Sequence, residues 1–334
     1  MAMKTPAYVG AAVGVIVLVG VAVHADFPAM LRTLSSAGAG VLWVIPYRAL
    51  FFLLYALGWA ALLRAGAPAQ SDEPARHIGL RYLLWATMVR DAVDRLLPVA
   101  SVGGSVVGVR ILRWRGVSGA AAGASVVAEI LLTLVAMYLF TAIGLLLLAE
   151  QGGAGHQYHR ILLIFVLSLP VPAVMLILLK NGAFLQRVRA LIHSWVGEGA
   201  MSRATESLDR EVRALLRRRE ALVFAGTLQL AALVSGAFEI WFALWLFNHP
   251  VSIGAAVMLE SMTQAIRHVA FIVPAGLGVQ EAGLVLFGDV VGISAEMALA
   301  VGMVKRIREL AWGVPTLVSW QWAEGRRLRR VSSP

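Results

Sequence analysis

An all-α, polytopic membrane protein is what this sequence predicts. Six spanning helices and two oppositely oriented re-entrant helical hairpins are expected, arranged as an inverted repeat. Three observations predict it. Long apolar runs recur along the whole chain, the basic residues cluster between particular runs, and two apolar stretches are broken by Pro and Gly at corresponding places. The composition agrees: 59% of the 334 residues are apolar and 14% are charged, against about 25% charged in a soluble domain.

The first run, residues 8–25, contains no Asp, Glu, Lys or Arg. About 18 such residues are enough to cross a bilayer as a helix. A signal peptide is the rival reading. It is disfavoured because only Lys4 stands before the run and no clean small-x-small site follows. Further runs at 41–63, 120–149, 161–179, 221–247 and 295–322 bring the predicted spans to six. Two other stretches are interrupted: 80–114 at Pro98–Gly104, and 253–291 at Pro274–Gly278. Proline removes a helix donor and glycine weakens a helix interior. Each stretch therefore reads as two helical arms around a non-helical tip.

Basic residues orient these elements. Twenty of the 29 Lys and Arg lie in or beside segments that can all be placed in the cytoplasm; among them are Lys4, Arg64, Arg110 and Arg326. Excess Lys and Arg in cytoplasmic loops set membrane orientation. That placement puts both termini in the cytoplasm. It also makes the first broken stretch begin and end inside and the second begin and end outside. Irregular backbone at membrane depth survives only when buried in protein or lining a wet cavity.

Adding 176 to a residue number carries Pro98 onto Pro274, Gly116 onto Gly292 and Ser118 onto Ser294. The element order, span–span–hairpin–span, then occurs twice in opposite orientation. Transporters use such inverted repeats, with the site where the broken elements meet. The chain thus reads as one membrane domain over 1–334, with repeat one at about 8–149 and repeat two at about 160–325. A cytoplasmic connector at about 181–220 lies within repeat two. In it Phe184, Leu185, Val188, Leu191, Ile192 and Trp195 recur at helical spacing, as in an interfacial helix. The following charged segment pairs Glu206 with Arg210 and Asp209 with Arg213 at i, i+4. A solvated connector is the expected role, and a clamp on anionic headgroups the alternative.

Ionisable groups inside membrane spans are costly, so each is a candidate functional residue. Arg48, Arg90, Asp91, Asp94, Arg95 and Glu129 fall in repeat one, and Glu239 falls in the run at 221–247 of repeat two. Glu260, Arg267, His268, Glu281, Lys305, Arg306, Arg308 and Glu309 also fall in repeat two. Helical spacing pairs Arg90 with Asp94, Asp91 with Arg95, and Lys305 with Glu309, with Arg306 competing for Glu309. Such pairs can be internal salt bridges that lock the hairpin. Arg267 and Arg308 have no same-helix carboxylate at either spacing, so each needs a carboxylate from another helix or a lipid phosphate. Glu281 follows the second break. It either caps the returning arm or faces a cavity, pairing with Arg267 or Arg308 or taking up a proton during transport.

Catalytic and metal chemistry is not expected. There is no cysteine, the seven histidines are scattered, and neither a nucleophile elbow nor a phosphate loop occurs. No cofactor is implied. The net charge of +10 reads as membrane orientation, and nucleic acid is not an expected partner.

At the second break the sequence resembles a known family. FIVPAGLGVQEAG, residues 271–283, resembles the Pro-Gly-Gly-Leu-Gly-Val-x-Glu signature of the flippase-like membrane domain. That domain also forms the N-terminal half of lysylphosphatidylglycerol synthases. Residues 94–127, DRLLPVASVGGSVVGVRILRWRGVSGAAAGASVV, and the AIRHVAF segment resemble the branch associated with hopanoid biosynthesis. The resemblance covers about 8–330 and carries the signature onto Pro274, Gly276, Gly278 and Glu281. Ala275 stands where the family has glycine. The resemblance implies a multi-pass protein of the bacterial inner membrane that moves or binds lipids. The synthases add a soluble aminoacyl-transferase domain after this one. This sequence stops at Pro334, so that activity is not expected and the chain reads as a non-enzyme.

Expected partners are membrane lipids, hopanoid or anionic phospholipid, with a homodimer or lipid biosynthesis enzymes as protein candidates. The expected lipid site comprises Arg90, Asp91, Asp94, Arg95, Glu129, Arg267, Pro274, Gly276, Gly278, Glu281, Lys305, Arg308 and Glu309. The leading function is lipid translocation. A non-transporting lipid-binding scaffold is the alternative, and a membrane-embedded transferase lacks a visible base or donor site.

Overall fold

The structure is a computed structural model. It describes residues 38–66, 75, 77–97, 103–152, 198–270, 273 and 278–332, with Arg32, Ser35 and Val166. The predicted spans at 8–25 and 161–179, residues 181–197 of the connector, and Pro98, Pro274 and Gly276 lie outside the described residues.

All regular structure among the described residues is helical. A 3-10 turn, Gly38–Trp43, leads into α1, Val44–Gly66. Then come α2, Leu80–Leu96, and α3, Gly103–Arg113. The long helix α4 is Gly119–Gly152 and the amphipathic helix α5 is Glu198–Leu216. The second half follows with α6, Arg219–Leu246, α7, Ile253–Val269, α8, Val279–Gly288, and α9, Ala295–Ser332.

Three described helices are long and apolar enough to cross a membrane: Gly38–Gly66, Gly119–Glu150 and Arg219–Leu246. They match the predicted runs at 41–63, 120–149 and 221–247. The predicted run at 295–322 is one helix of 38 residues, about 57 Å at 1.5 Å per residue. Its middle is charged from Lys305 to Glu309.

Each broken stretch forms two helices that pack on each other, α2 on α3 and α7 on α8. The backbone leaves the helix at Leu97, with φ −107 and ψ 147. It re-enters α8 through Gly278 at φ +74, a left-handed conformation that costs glycine nothing. The turn into α4 recurs at α9, 176 residues on. Gly116 has φ +83 and Gly292 φ +75. The Val117 amide donates to the Leu112 carbonyl at 3.4 Å, and that of Ile293 to Gly288 at 2.9 Å. Ser118 Oγ accepts from the Ala121 amide and Ser294 Oγ from the Met297 amide, each opening the next helix with a serine cap.

Packing partners follow the same exchange. α1 lies against α6, while α2 packs on α9 and α7 packs on α4. Two apolar cores result. One is built on α1–α4 around Trp59, Leu83 and Ile111; the other mainly on α6–α9 around Ile240, Leu259 and Val304. The charged residues fall between them. On α1, Arg48 stands between Val44 of the second core and Ala56 of the first. On α9, Lys305–Glu309 follows Val304 of the second core and precedes Leu317, which packs on the first.

Helix α5 is not wholly solvated. Val212 is buried with Ala124 and Leu131 of α4, and Leu215 with Leu62, Ala128 and Ala225. Its polar side carries the expected Asp209–Arg213 pair at 2.9 Å.

Small residues let the helices approach, as they do in membrane bundles. At Gly144 of α4, an added Cβ would sit 1.8 Å from Ser261 Oγ and 2.8 Å from Ser261 Cβ of α7. Gly144→Ala is expected to destabilise the protein by about 1–3 kcal/mol through overpacking. Ser261→Gly should recover most of that loss. A double-mutant cycle of thermal stability in detergent checks it; additive effects would contradict the close crossing.

Candidate functional site

Between the two cores a continuous ion-pair network runs through six helices, α1, α2, α6, α7, α8 and α9. Arg308 of α9 donates to both carboxylate oxygens of Glu239 on α6, at 2.7 and 2.6 Å, with both side chains 2% exposed. Arg48 of α1 lies 3.8 Å from Glu239 and 3.7 Å from Asp91 of α2. Asp91 accepts from Arg95 at 2.7 Å. Arg95 also donates to Glu309 of α9 at 2.8 Å.

Glu309 gathers the most charge. Besides Arg95, it has Arg306 at 3.0 Å, Arg267 of α7 at 3.4 Å and Arg308 at 3.6 Å. Arg95 and Arg267 each stand in the last turn of their helix. The inner ends of α2 and α7 thus converge on one carboxylate. Arg267 further donates to Gln280 of α8 at 3.4 Å. Glu281 of α8 accepts from Arg306 at 2.9 Å.

Two flanking pairs tie each half together. Arg90 of α2 donates to Glu129 of α4 at 2.6 Å, with its guanidinium 4.5 Å from the Trp59 ring centroid. Lys305 of α9 donates to Glu260 of α7. Glu129 and Lys305 are 176 residues apart, so corresponding positions carry opposite charges, each paired to the helix that leads into a break.

The geometry corrects several pairings expected from spacing. Arg90 does not pair with Asp94. Gly108 leaves room for the Arg90 stem, since a Cβ there would meet Arg90 Cδ at 2.7 Å, and this lets the guanidinium reach Glu129. Asp94 instead accepts from the Gly104 amide at 2.8 Å, at the start of α3. Lys305 pairs with Glu260, not Glu309, because arginines already surround Glu309. Gly236 lets Glu260 lie close, as a Cβ there would be 2.8 Å from its Oε1. Glu281 stands in the first turn of α8, at the end where a helix favours a carboxylate, but it meets neither Arg267 nor Arg308; its partner is Arg306. The i, i+4 pair Asp91–Arg95 and the i, i+3 pair Arg306–Glu309 form as expected.

Arg267 and Arg308 find carboxylates on other helices, which is one of the two outcomes their isolation required. Spacing gave no hint of the Arg48–Glu239 and Glu239–Arg308 links. Their partners are on different helices, so the signal was only that each is an ionisable residue in an apolar run. Gln280 was missed altogether because it is uncharged. Among the described residues a cavity of about 560 Å³ opens at the other end of α2. It is lined by His77, Ile78, Gly79, Arg81, Tyr82, Trp85 and Arg115, and shares no residue with the network.

The profile of the lysylphosphatidylglycerol synthase TM region matches residues 8–317. The chain belongs to this family. No curated protein and no solved structure matches it. The family and the apolar helices together mark a multi-pass membrane protein with a lipid-related role.

Removing one partner of a buried ion pair strands the other charge and costs about 3–5 kcal/mol, while exposed pairs contribute about 0–1 kcal/mol. Glu239→Ala should therefore destabilise the protein far more than Glu324→Ala, whose partner Arg110 is 57% exposed. Thermal melts of both variants in one detergent check the ranking; equal losses would contradict it.

Proposed function

We propose that this protein translocates a lipid across or within the inner membrane, with the network around Glu309 as the headgroup site. The observation that carries the reading is the meeting of α2 and α7 on that carboxylate. An internal salt-bridge lock needs only one helix pair. Here both helices that end at a break contribute an arginine to a third helix.

On this reading the two broken stretches are re-entrant hairpins. α3 and α8 have 11 and 10 residues, about 16 and 15 Å long, too short to span a hydrocarbon core of about 30 Å. The inverted repeat is part of the proposal. It is supported by the recurring Gly116/Gly292 turn and by the exchange of packing partners. Two equivalent halves with a shared centre can rock to expose it to either face. Hopanoid or a related polar lipid is the cargo suggested by the resemblance at 94–127. Its apolar body would lie against Leu, Val, Phe and Trp of the bundle while its polar group meets the charged centre.

The second reading is a lipid-binding scaffold for hopanoid or lipid biosynthesis enzymes. Its support is that every carboxylate of the network is already paired, as in a static lock.

Proteoliposomes holding fluorescent lipid in both leaflets separate the two. Transport predicts that an impermeant quencher bleaches well beyond the outer-leaflet fraction. Glu281→Gln and Arg308→Ala should reduce the rate at least tenfold in protein that still folds. Bleaching that stops at the outer leaflet, with lipid still bound, favours the scaffold.

A further inference from the structure

We infer that the cavity at the start of α2 is a binding site for a phosphomonoester, apart from the charged layer and independent of the transport reading. Arg81 and Arg115 receive the phosphate, and Tyr82 and Trp85 receive the group that carries it.

Three stretches of chain converge on this cavity. The segment before α2 brings His77, Ile78 and Gly79. The first two turns of α2 bring Arg81, Tyr82 and Trp85, and the turn after α3 brings Arg115. The enclosed volume is about 560 Å³, within the range of about 300–1,000 Å³ usual for small-molecule sites. The aromatic wall is fixed from behind. Tyr82 donates its hydroxyl proton to the Ile111 carbonyl of α3 at 2.8 Å, and Trp85 Nε1 donates to Ser319 Oγ of α9 at 2.9 Å. Trp85 also lies 6.4 Å from Trp114, centroid to centroid. The cavity therefore sits where α2, α3 and α9 are bonded to one another.

Its charge is one-sided. No Asp or Glu is among the described lining residues, and neither Arg81 nor Arg115 is paired with a carboxylate among the described residues. Glu324 of α9 is already taken by Arg110. The Arg115 guanidinium lies 4.5 Å from the Tyr82 ring centroid. Stacking uses the face of a guanidinium and leaves its in-plane N–H groups able to donate. Gly79 opens α2 without a side-chain cap, so the positive end of that helix adds to the same field. An exposed arginine by itself is ordinarily solvated. These two differ in sharing one cavity that has an aromatic wall and no acid.

The donor set selects the anion. Two guanidinium forks on separate elements are met together by a group with three acceptor oxygens and nearly two negative charges, which describes a phosphomonoester at neutral pH. A phosphodiester or a carboxylate carries one charge and two free oxygens, enough for one fork. Tyr82 and Trp85 beside the forks favour a ligand with a planar or apolar group next to its phosphate. The orientation expected from the basic residues puts the cavity on the cytoplasmic side. Soluble phosphomonoesters and lipid monoesters of the inner leaflet share the required chemistry.

The test titrates phenyl phosphate into the purified full chain in phosphatidylcholine nanodiscs, followed by calorimetry. Phenyl phosphate is expected to bind at least tenfold more tightly than benzoate, and phenol not to bind. Arg81→Gln and Arg115→Gln should each weaken binding at least fivefold. Both side chains are exposed, so both variants should melt as wild type does. Arg113→Gln removes the same charge from an exposed residue of α3 outside the cavity and should bind as wild type does. The titration is then repeated with phosphatidic acid in the nanodiscs. Competition assigns the site to a lipid monoester, and unchanged affinity assigns it to a soluble one; either supports the site.

Absent binding of phenyl phosphate, or benzoate bound equally well, overturns the inference. So does Arg113→Gln weakening binding as much as Arg81→Gln, since the attraction would then be a diffuse basic surface. Phosphatidylglycerol that competes as strongly as phosphatidic acid also overturns it, because the site would not tell a monoester from a diester. Lipid scrambling is a separate readout, so failure here leaves the transport reading standing.

Discussion

Charge held away from water has to be answered by charge, and in this protein Glu309 is where most of that answer is concentrated. Four guanidiniums from α2, α7 and α9 lie within 3.6 Å of it. In an apolar bundle the attraction is weakly screened, and so is the penalty for leaving any member alone. The helices that carry these groups cannot shift independently.

That requirement explains features that look unrelated in one dimension. Gly108, Gly144 and Gly236 sit where a β-carbon would collide with Arg90, Ser261 or Glu260. They let helices approach closely enough for side chains to pair across them. Gly116 and Gly292 supply matching left-handed turns that lead into the two long helices, α4 and α9. The apolar cores on either side position the charged layer, and the layer in turn joins one core to the other.

Much of the architecture was legible because apolar length and period are local properties. The spans at 41–63, 120–149 and 221–247 and the breaks near Leu97 and Gly278 follow from composition over short windows, and the Gly/Ser equivalence from laying the chain on itself with a shift of 176 residues. The pairings were legible only where helical spacing governs them, as for Asp91–Arg95 and Arg306–Glu309. Arg90 and Lys305 defeated the spacing rule because a carboxylate on an adjacent helix was closer in space than the one four residues away. Nothing in a sequence shows that Glu239 would be shared by Arg48 and Arg308, 191 and 69 residues distant. That depends on the rotation of three helices about their axes.

The account stands on Glu309 being the shared counter-ion of two separate helix ends. A thermodynamic cycle measures that directly. Glu309→Gln should destabilise the protein strongly, because it strands several arginines at once. In that background Arg95→Gln or Arg267→Gln should recover stability, although each alone weakens the wild type. That change of sign is the result predicted here. Simple addition of the single effects, for both arginines, would show that neither helix end depends on this carboxylate, and would contradict the account.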